Sequence, residues 1–179
     1  MGTQKLILPF GESTVIETVV RTALDSSVED VLVVVGPDRE KIREILRPYP
    51  VTFVVNEDHL RGMLSSVQAG FRALPEKATA AMLMLGDQPS VTSEMADELL
   101  PRHRETRKGI VIPVYENRRG HPVIISTRYR KEILELGPDT GLRQLSRNHP
   151  EDVLEVALPF AAILRDIDTP EDYLAERKG

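Results

Sequence analysis

The sequence contains no cysteine and no tryptophan, and only four tyrosines and four phenylalanines. The missing cysteines exclude disulfides, thiolate nucleophiles and cysteine-ligated zinc, and make the cytoplasm the expected compartment. No tract of lysine and arginine stands out, nor any alternation of basic with aromatic residues. With 28 acidic against 23 basic residues the net charge is -5, so no nucleic-acid partner is expected. Long apolar runs are lacking as well. The longest, at residues 31–35 and 80–85, fall far short of a membrane span. The leading Met-Gly-Thr-Gln-Lys does not read as an export signal. Repeats and low-complexity stretches are absent, and 179 residues suit one soluble domain spanning 1–179.

What is present is an alternation of short apolar strands with amphipathic helices. Thr14-Val-Ile-Glu17 has the form of a capping box, and Val15, Ile16, Val19, Val20, Ala23 and Leu24 behind it recur at helical spacing. This predicts a helix from 14 to about 25. The β-branched run 31–35, stopped by Gly36-Pro37, predicts a strand buried on both faces. A helix carrying Ile42, Ile45 and Leu46 follows, then a strand at 51–55, a helix with Leu64, Val67, Phe71 and Leu74 inward, and a strand at 81–85. Such alternation predicts a doubly wound α/β protein with a mostly parallel sheet and helices on both faces. A helix over 93–107 should break near Leu100, because Pro101 removes a hydrogen bond inside it. Apolar stretches at 110–114 and 123–126 flank Tyr-Glu-Asn-Arg-Arg-Gly and read as a hairpin or a sheet edge. Helices near 129–136 and 142–148, apolar pieces at 153–156 and 163–167, and a final helix with Thr169 as N-cap and Pro170 in its first position complete the chain.

Four places have the composition of a site. Leu85-Gly-Asp-Gln-Pro89 ends a buried strand, where open α/β sheets bind ligands, and Asp87 there suits a magnesium ion that takes its other ligands from water and phosphate. A polar turn in which Asp87 caps the following amides is the competing reading. Arg61-Gly-Met-Leu-Ser-Ser-Val-Gln-Ala-Gly70, following Asn56, opens a helix with small residues and exposed amide donors that suit phosphate or ribose. Ser65 and Ser66 could add hydroxyl contacts, but by residue type alone they read first as N-caps of the helix. Gly120-His121-Pro122 constrains an imidazole just before a strand, for an anion, for proton transfer, or simply as a tight turn. In Asp166-Ile-Asp-Thr-Pro-Glu-Asp172, Glu171 and Asp172 are explained by the helix dipole. Asp168, alternating with Ile167 on a strand, is a candidate second metal ligand beside Asp87. His59, His103 and His149 have no partner at metal-ligand spacing and read as surface residues.

Six segments in order resemble the molybdenum cofactor cytidylyltransferase and guanylyltransferase family, within the glycosyltransferase-A-like nucleotidyltransferases: 1–11, 62–70, Gly86-Asp-Gln-Pro89, Arg119-Gly-His-Pro122, Asp139-Thr-Gly-Leu-Arg143 and 166–172. The resemblance spans nearly the whole chain and implies a Rossmann-like fold of the nucleotide-diphospho-sugar transferase type. It implies attack by the terminal phosphate of molybdopterin on the α-phosphorus of CTP, with Mg²⁺ and release of pyrophosphate, a reaction that asks the protein for alignment and charge neutralisation. By the same resemblance Lys5 contacts the phosphates and Asp87 holds the metal. Gly2, Lys5, Asn56, Gly62, Ser65, Ser66 and Gly86 face the nucleotide, and Gln88, Gly120 and His121 face the acceptor substrate. A molybdenum hydroxylase is the implied recipient of the finished cofactor. GTP use, a sugar- or polyol-phosphate acceptor, and a non-catalytic cofactor-binding relative are the alternatives. One departure is large. The family opens with a buried strand and a Leu-Ala-Ala-Gly loop ending in Arg-Met-Gly, of which only Met1-Gly2 is present here. The first strand is therefore expected to be missing, and Met1 to be an internal methionine of a longer protein. A chain without that strand and loop is expected to fold poorly and to bind CTP weakly.

Overall fold

The computed structural model describes residues 2–36, 39–138 and 140–177. A 3-10 segment, Gly2–Ile7, leads into a small hairpin of β1 (Pro9–Phe10) and β2 (Ser13–Thr14), followed by α1 (Val15–Asp25), β3 (Leu32–Val35), α2 (Arg39–Leu46), β4 (Thr52–Val55), α3 (Met63–Ala73) and β5 (Ala80–Leu83). Beyond these come α4 (Ser93–Asp97), α5 (Leu99–Thr106), β6 (Ile110–Tyr115), β7 (Arg118–Arg119), β8 (Val123–Ser126), α6 (Arg130–Glu135), α7 (Arg143–Asn148), β9 (Val153–Ala157) and α8 (Pro170–Glu176).

Local chemistry sets several of these boundaries. The Thr14 hydroxyl accepts the Glu17 N–H while the Glu17 carboxylate accepts the Thr14 N–H at 2.9 Å, so α1 begins with a reciprocal capping box and buries Val15, Ile16, Val19 and Val20. α8 begins in the same way, with Thr169, Pro170 and Asp172. The helix expected over 93–107 is split at Glu98, slightly upstream of the predicted break near Leu100. Pro101 thus becomes the third residue of α5, in a first turn whose amides have no intrahelical acceptor to lose.

Strands β3 and β4 pair in parallel, from Leu32↔Thr52 to Val35↔Val55. A five-stranded sheet has the order β5-β8-β6-β7, with β9 on β6. β8 lies antiparallel to both β5 and β6, while β9 is parallel to β6. β5, β6 and β9 therefore share one direction and β8 runs against them. The cause is the connection. Residues 116–122 are too few to carry a crossover helix, so the chain turns back beside β6 through Glu116 and Asn117, both at positive φ. The sheet is mixed for that reason. Among the described residues no strand pairs with the second edge of β3 or of β5.

The period-2 alternation of the central strands feeds two cores. Ala81, Leu83, Ile110, Ile112 and Ile125 pack with Phe71 of α3, Ile133 of α6 and Leu145 of α7. Ala80, Met82, Val111 and Ile124 pack with Leu99 of α5 and with Ile163. Both faces are covered, which is why these strands read as unbroken apolar runs. A third core joins Ile16, Val20, Val35, Ile42 and Leu46, with Leu6 against it.

Two expectations are corrected. The stretch 163–167 is no strand: Ala161–Leu164 is a 3-10 turn and 165–168 continues without a ladder partner. His59, His103 and His149 are half-buried rather than on the open surface, and His149 Nε2 lies 2.7 Å from Glu132 Oε2. No helix among the described residues is long and apolar enough to cross a membrane.

The capping box yields a stability prediction. Thr14→Ala removes the side-chain half of the box and should lower the free energy of unfolding by about 1 kcal/mol in urea titration. An unchanged midpoint would show that the box does not hold the start of α1.

Candidate active site

The centre of the site is the turn after β5. Gly86 is closely covered: a Cβ there would come within 3.3 Å of Ile16 Cδ1 and 3.6 Å of Leu6 Cδ2, a tight fit against the ends of two side chains. Leu6 therefore seats the 3-10 segment Gly2–Ile7 directly on this turn. Its neighbour Lys5 is brought to Asp87, with Nζ donating to Asp87 Oδ2 at 2.6 Å and to Asp168 Oδ1 at 2.9 Å. Lys5 and Asp87 are mostly enclosed, with side-chain exposures of 15% and 22%, whereas Asp168 at 68% forms the solvent side of the trio. Burial opposes the charge on Lys5, but hydrogen bonds and charges from Asp87 and Asp168 outweigh it and hold the ammonium's pKa above the usual lysine value. Asp87 accordingly spends its carboxylate on Lys5, 82 residues away in the chain. The reading of Asp87 as a cap for its own turn finds no support.

Asp168 arrives by a backbone tether. Ile167 is fully buried, and its N–H donates to the Asp87 carbonyl at 2.9 Å. With Ile167 pinned inward, its two neighbours face outward onto the turn. Asp168 meets Lys5, and Asp166 accepts from Gln88 Nε2 at 2.5 Å. Extended backbone outside any ladder produces the alternation expected of a strand. Gln88 is 4% exposed, and its Oε1 is buried without a hydrogen-bond partner among the described residues. Asp166, which when ionised can only accept, holds the amide nitrogen toward itself and so fixes which end of the amide faces away. Behind the turn, Ser90 Oγ bonds the Glu176 carboxylate of α8, which also lies 3.5 Å from Arg165.

The same C-terminal stretch positions the histidine. His121 N–H donates to the Ile163 carbonyl at 3.0 Å, and Gly120 N–H donates to Pro113 at 2.9 Å. A Cβ on Gly120 would run into the Ile163 backbone carbonyl. Glycine is thus required by close approach of two chain segments. Burial lowers the His121 pKa below the usual imidazole range and the charge of Arg143 adds to this, while Asp166 and Asp87 pull the other way. The ring therefore shares the electrostatic environment of the Asp87 turn, and it is neutral near pH 7.

The residues at the start of α3 form a second group. The N-cap of α3 is Gly62, at φ 85°, and neither Ser65 nor Ser66 caps the helix. Asn56, 4% exposed, donates through Nδ2 to Ser65 Oγ at 2.8 Å and to Ser66 Oγ at 3.0 Å, and accepts the Asp58 N–H. Ser65, also buried, donates to the Gly62 carbonyl at 2.7 Å. Asn56, Gly62, Ser65 and Ser66 are thereby one internal network. Gly2 opens the 3-10 segment that carries Lys5. Met1 and Asp139, both within the matching segments, lie outside the described residues.

Sequence reasoning missed Asp166, Arg143 and the seating of Leu6 on Gly86. The Asp-Ile-Asp spacing was the available signal for Asp166. Leu6 and Gly86 are 80 residues apart, and nothing local marks them as partners. Among the described residues no group of three or more histidine or acidic side chains converges as a metal cage. Two carboxylates do converge on one cationic atom, Lys5 Nζ. That ammonium marks the one point among the described residues where oxygens of Asp87 and Asp168 face a common positive charge, and two carboxylates so placed have the donor chemistry for a hard cation completed by substrate oxygens.

Comparison with known proteins identifies the family. The family model described as the MobA-like NTP transferase domain matches residues 1–153. The molybdenum cofactor cytidylyltransferase of Escherichia coli is 26% identical over 180 residues, covering 99% of this chain and 89% of that protein. The nicotine blue oxidoreductase of Paenarthrobacter nicotinovorans is 30% identical over 177 residues, covering 93% and 84%. Among solved structures, a Mycobacterium tuberculosis protein crystallised with manganese superposes with a TM-score of 0.85 at 26% identity, covering 99% of this chain and 94% of that one. The chain belongs to the MobA-like NTP transferase domain family, and is a nucleotidyltransferase with a Rossmann-like α/β fold.

Proposed function

We propose that this enzyme transfers a nucleotidyl group, CMP in the first instance, from its triphosphate to the phosphate of molybdopterin. The observation that carries this reading is the convergence of Lys5, Asp87 and Asp168 beyond the end of β5. The name of the Escherichia coli relative supplies the nucleotide and the acceptor. In the reaction a phosphate oxygen of the acceptor forms a bond to the α-phosphorus, the bond from that phosphorus to the β-phosphate oxygen breaks, and pyrophosphate leaves with the electron pair. The protein supplies alignment and positive charge.

Asp87 and Asp168 would hold the divalent cation, Mg²⁺ in this proposal. When bound, it neutralises phosphate charge and polarises the phosphoryl oxygens. Lys5, kept charged by its partners, is the protein's own cation for the triphosphate. On the acceptor side, the Asp166 carboxylate sets the direction of the Gln88 amide, and the Gly120 contact with Ile163 sets the place of His121. A neutral His121 presents a ring nitrogen as acceptor to a donor of the incoming substrate. On the nucleotide side, Asn56 and Ser65 are occupied within the fold, so they act by holding Gly62 and Ser66 in place. Backbone amides from the Gly2, Gly62 and Gly86 regions would meet the ribose and phosphates. A molybdenum hydroxylase is the proposed recipient of the product.

Pyrophosphate release with molybdopterin, Mg²⁺ and either CTP or GTP tests the reading directly. Turnover with CTP in preference to GTP is expected, and turnover with neither would overturn it. Asp87→Asn should lower kcat by at least about 100-fold, the scale of losing one preorganised charge interaction, with the melting temperature preserved. Gly120→Ala should cost about 1–3 kcal/mol of stability through overpacking against Ile163 and should raise KM for the acceptor; a KM equal to that of the parent would detach this loop from acceptor binding.

The pH profile carries a further prediction. Because the folded state depresses the His121 pKa below 6.5, kcat/KM should be level from pH 8 down to that value and fall only at lower pH. Stability linked to the same group is present above pH 6.5 and declines as pH falls through the depressed value, because the unfolded chain takes up the proton first. His121→Asn should remove the acid limb, and an unaltered limb would assign it to another group.

A further inference from the structure

We infer that Lys5 is the resident occupant of the divalent-cation position, so that the metal and the Lys5 ammonium exclude one another and the nucleotide triphosphate is what exchanges them. The inference rests on the reading of Asp87 and Asp168 as the metal pair, and goes beyond it by assigning Lys5 a second role when substrate is absent.

The geometry leaves little choice. Nζ sits 2.6 Å from Asp87 Oδ2 and 2.9 Å from Asp168 Oδ1, using one oxygen of each carboxylate. A Mg²⁺ ion bound by the same two oxygens needs contacts of about 2.0–2.1 Å. It would have to take the volume that the ammonium fills, and a dication beside an ammonium adds like-charge repulsion. Only the side chain is free to move away. The backbone of residues 2–7 is held by Leu6 against Gly86 and Ile16, and by contact with the core of α1. The four-carbon stem of lysine can swing without disturbing that packing.

A bare metal ion arriving at this site meets two carboxylates already neutralised in part by a hydrogen-bonded cation, and to take the two oxygens that converge it must break both charge-assisted bonds. A nucleotide triphosphate changes the balance at both ends. Its phosphates offer Lys5 replacement acceptors of greater charge, and they bring the metal its missing oxygen ligands. Release of Lys5 and entry of the metal thus become one event, with positive coupling between metal and nucleotide. The lock also keeps Asp87 and Asp168 together in the free enzyme, where two like charges would otherwise repel.

Mn²⁺ titration followed by the electron paramagnetic resonance of the free ion tests this without turnover. In the absence of nucleotide, Lys5→Met should bind Mn²⁺ at least about tenfold tighter than the parent, the scale set by one charge-assisted hydrogen bond. Lys5→Arg, which restores a cation, should return the weak affinity of the parent. A non-hydrolysable CTP analogue should tighten Mn²⁺ binding to the parent more than to Lys5→Met. Equal Mn²⁺ affinity of Lys5→Met and the parent, in proteins with matching circular dichroism, overturns the lock. Adding Asp87→Asn to Lys5→Met separates the two ideas. If the double variant loses Mn²⁺ affinity while Lys5→Met matched the parent, the metal pair stands and the lock is wrong. If the double variant binds Mn²⁺ as Lys5→Met does, the ion sits elsewhere, and the lock falls together with the metal assignment.

Discussion

The hydrogen bond from the Ile167 N–H to the Asp87 carbonyl is the tether on which the site depends. It joins the last part of the chain to the turn after β5, and Ile167, fully buried, makes the attachment a packed one. From this fixed point, extended backbone sends Asp166 to Gln88 and Asp168 to Lys5. A few residues upstream the Ile163 carbonyl receives the His121 N–H. One stretch of irregular chain therefore organises three loops drawn from distant parts of the sequence. Its irregularity is useful, because a strand in the sheet would commit its amides and carbonyls to a ladder and leave none for the loops it serves.

Two glycines make the close approaches possible. At Gly86 a Cβ would fit tightly against the side-chain ends of Ile16 and Leu6, and at Gly120 it would run into the Ile163 carbonyl. At Gly120 the glycine is required by the backbone that lies against it, at Gly86 it eases a tight side-chain contact, and neither carries a positive φ. The consequence at Gly86 is electrostatic. Seating Leu6 there brings Lys5 within reach of Asp87, in a setting enclosed enough for ion pairing to resist the screening that weakens surface pairs.

The sheet explains how such a site is carried rigidly. Its central strands are covered on both faces by α3, α6 and α7 on one side and by α5 and the Ile163 turn on the other. The turns at the ends of β5 and before β8 therefore sit on a support that is packed through its full thickness. Reversal of β8 between β5 and β6 brings the Gly120-His121 segment to the end of the sheet where β5 finishes, since the start of an antiparallel strand lies beside the end of its neighbour: Leu83 of β5 pairs with Val123. A parallel arrangement would have put that loop at the opposite end, away from Asp87.

Much of this was legible in the sequence, and the reason is locality. The capping boxes at Thr14 and Thr169 are complete within four residues, and the two-sided packing of β5 and β6 is written in their unbroken apolar runs, whereas β3, read in the same way, is only partly buried at Leu32, Val33 and Val34. The order of strands and helices from α1 to β6 follows from the same short-range patterns. What the tertiary structure alone decided depends on contacts between distant residues. It set the direction of β8, the replacement of an expected strand at 163–167 by a tether, and the pairing of Gln88 with Asp166. It also decided that Asn56 bonds to Ser65 and Ser66, where the residue types of the two serines had favoured helix caps. The union of Lys5 with Asp87 and Asp168 is the furthest case: each charge is visible in the sequence, but a salt bridge has no local pattern, and only the packing of Leu6 on Gly86 and the anchoring of Ile167 bring the three together.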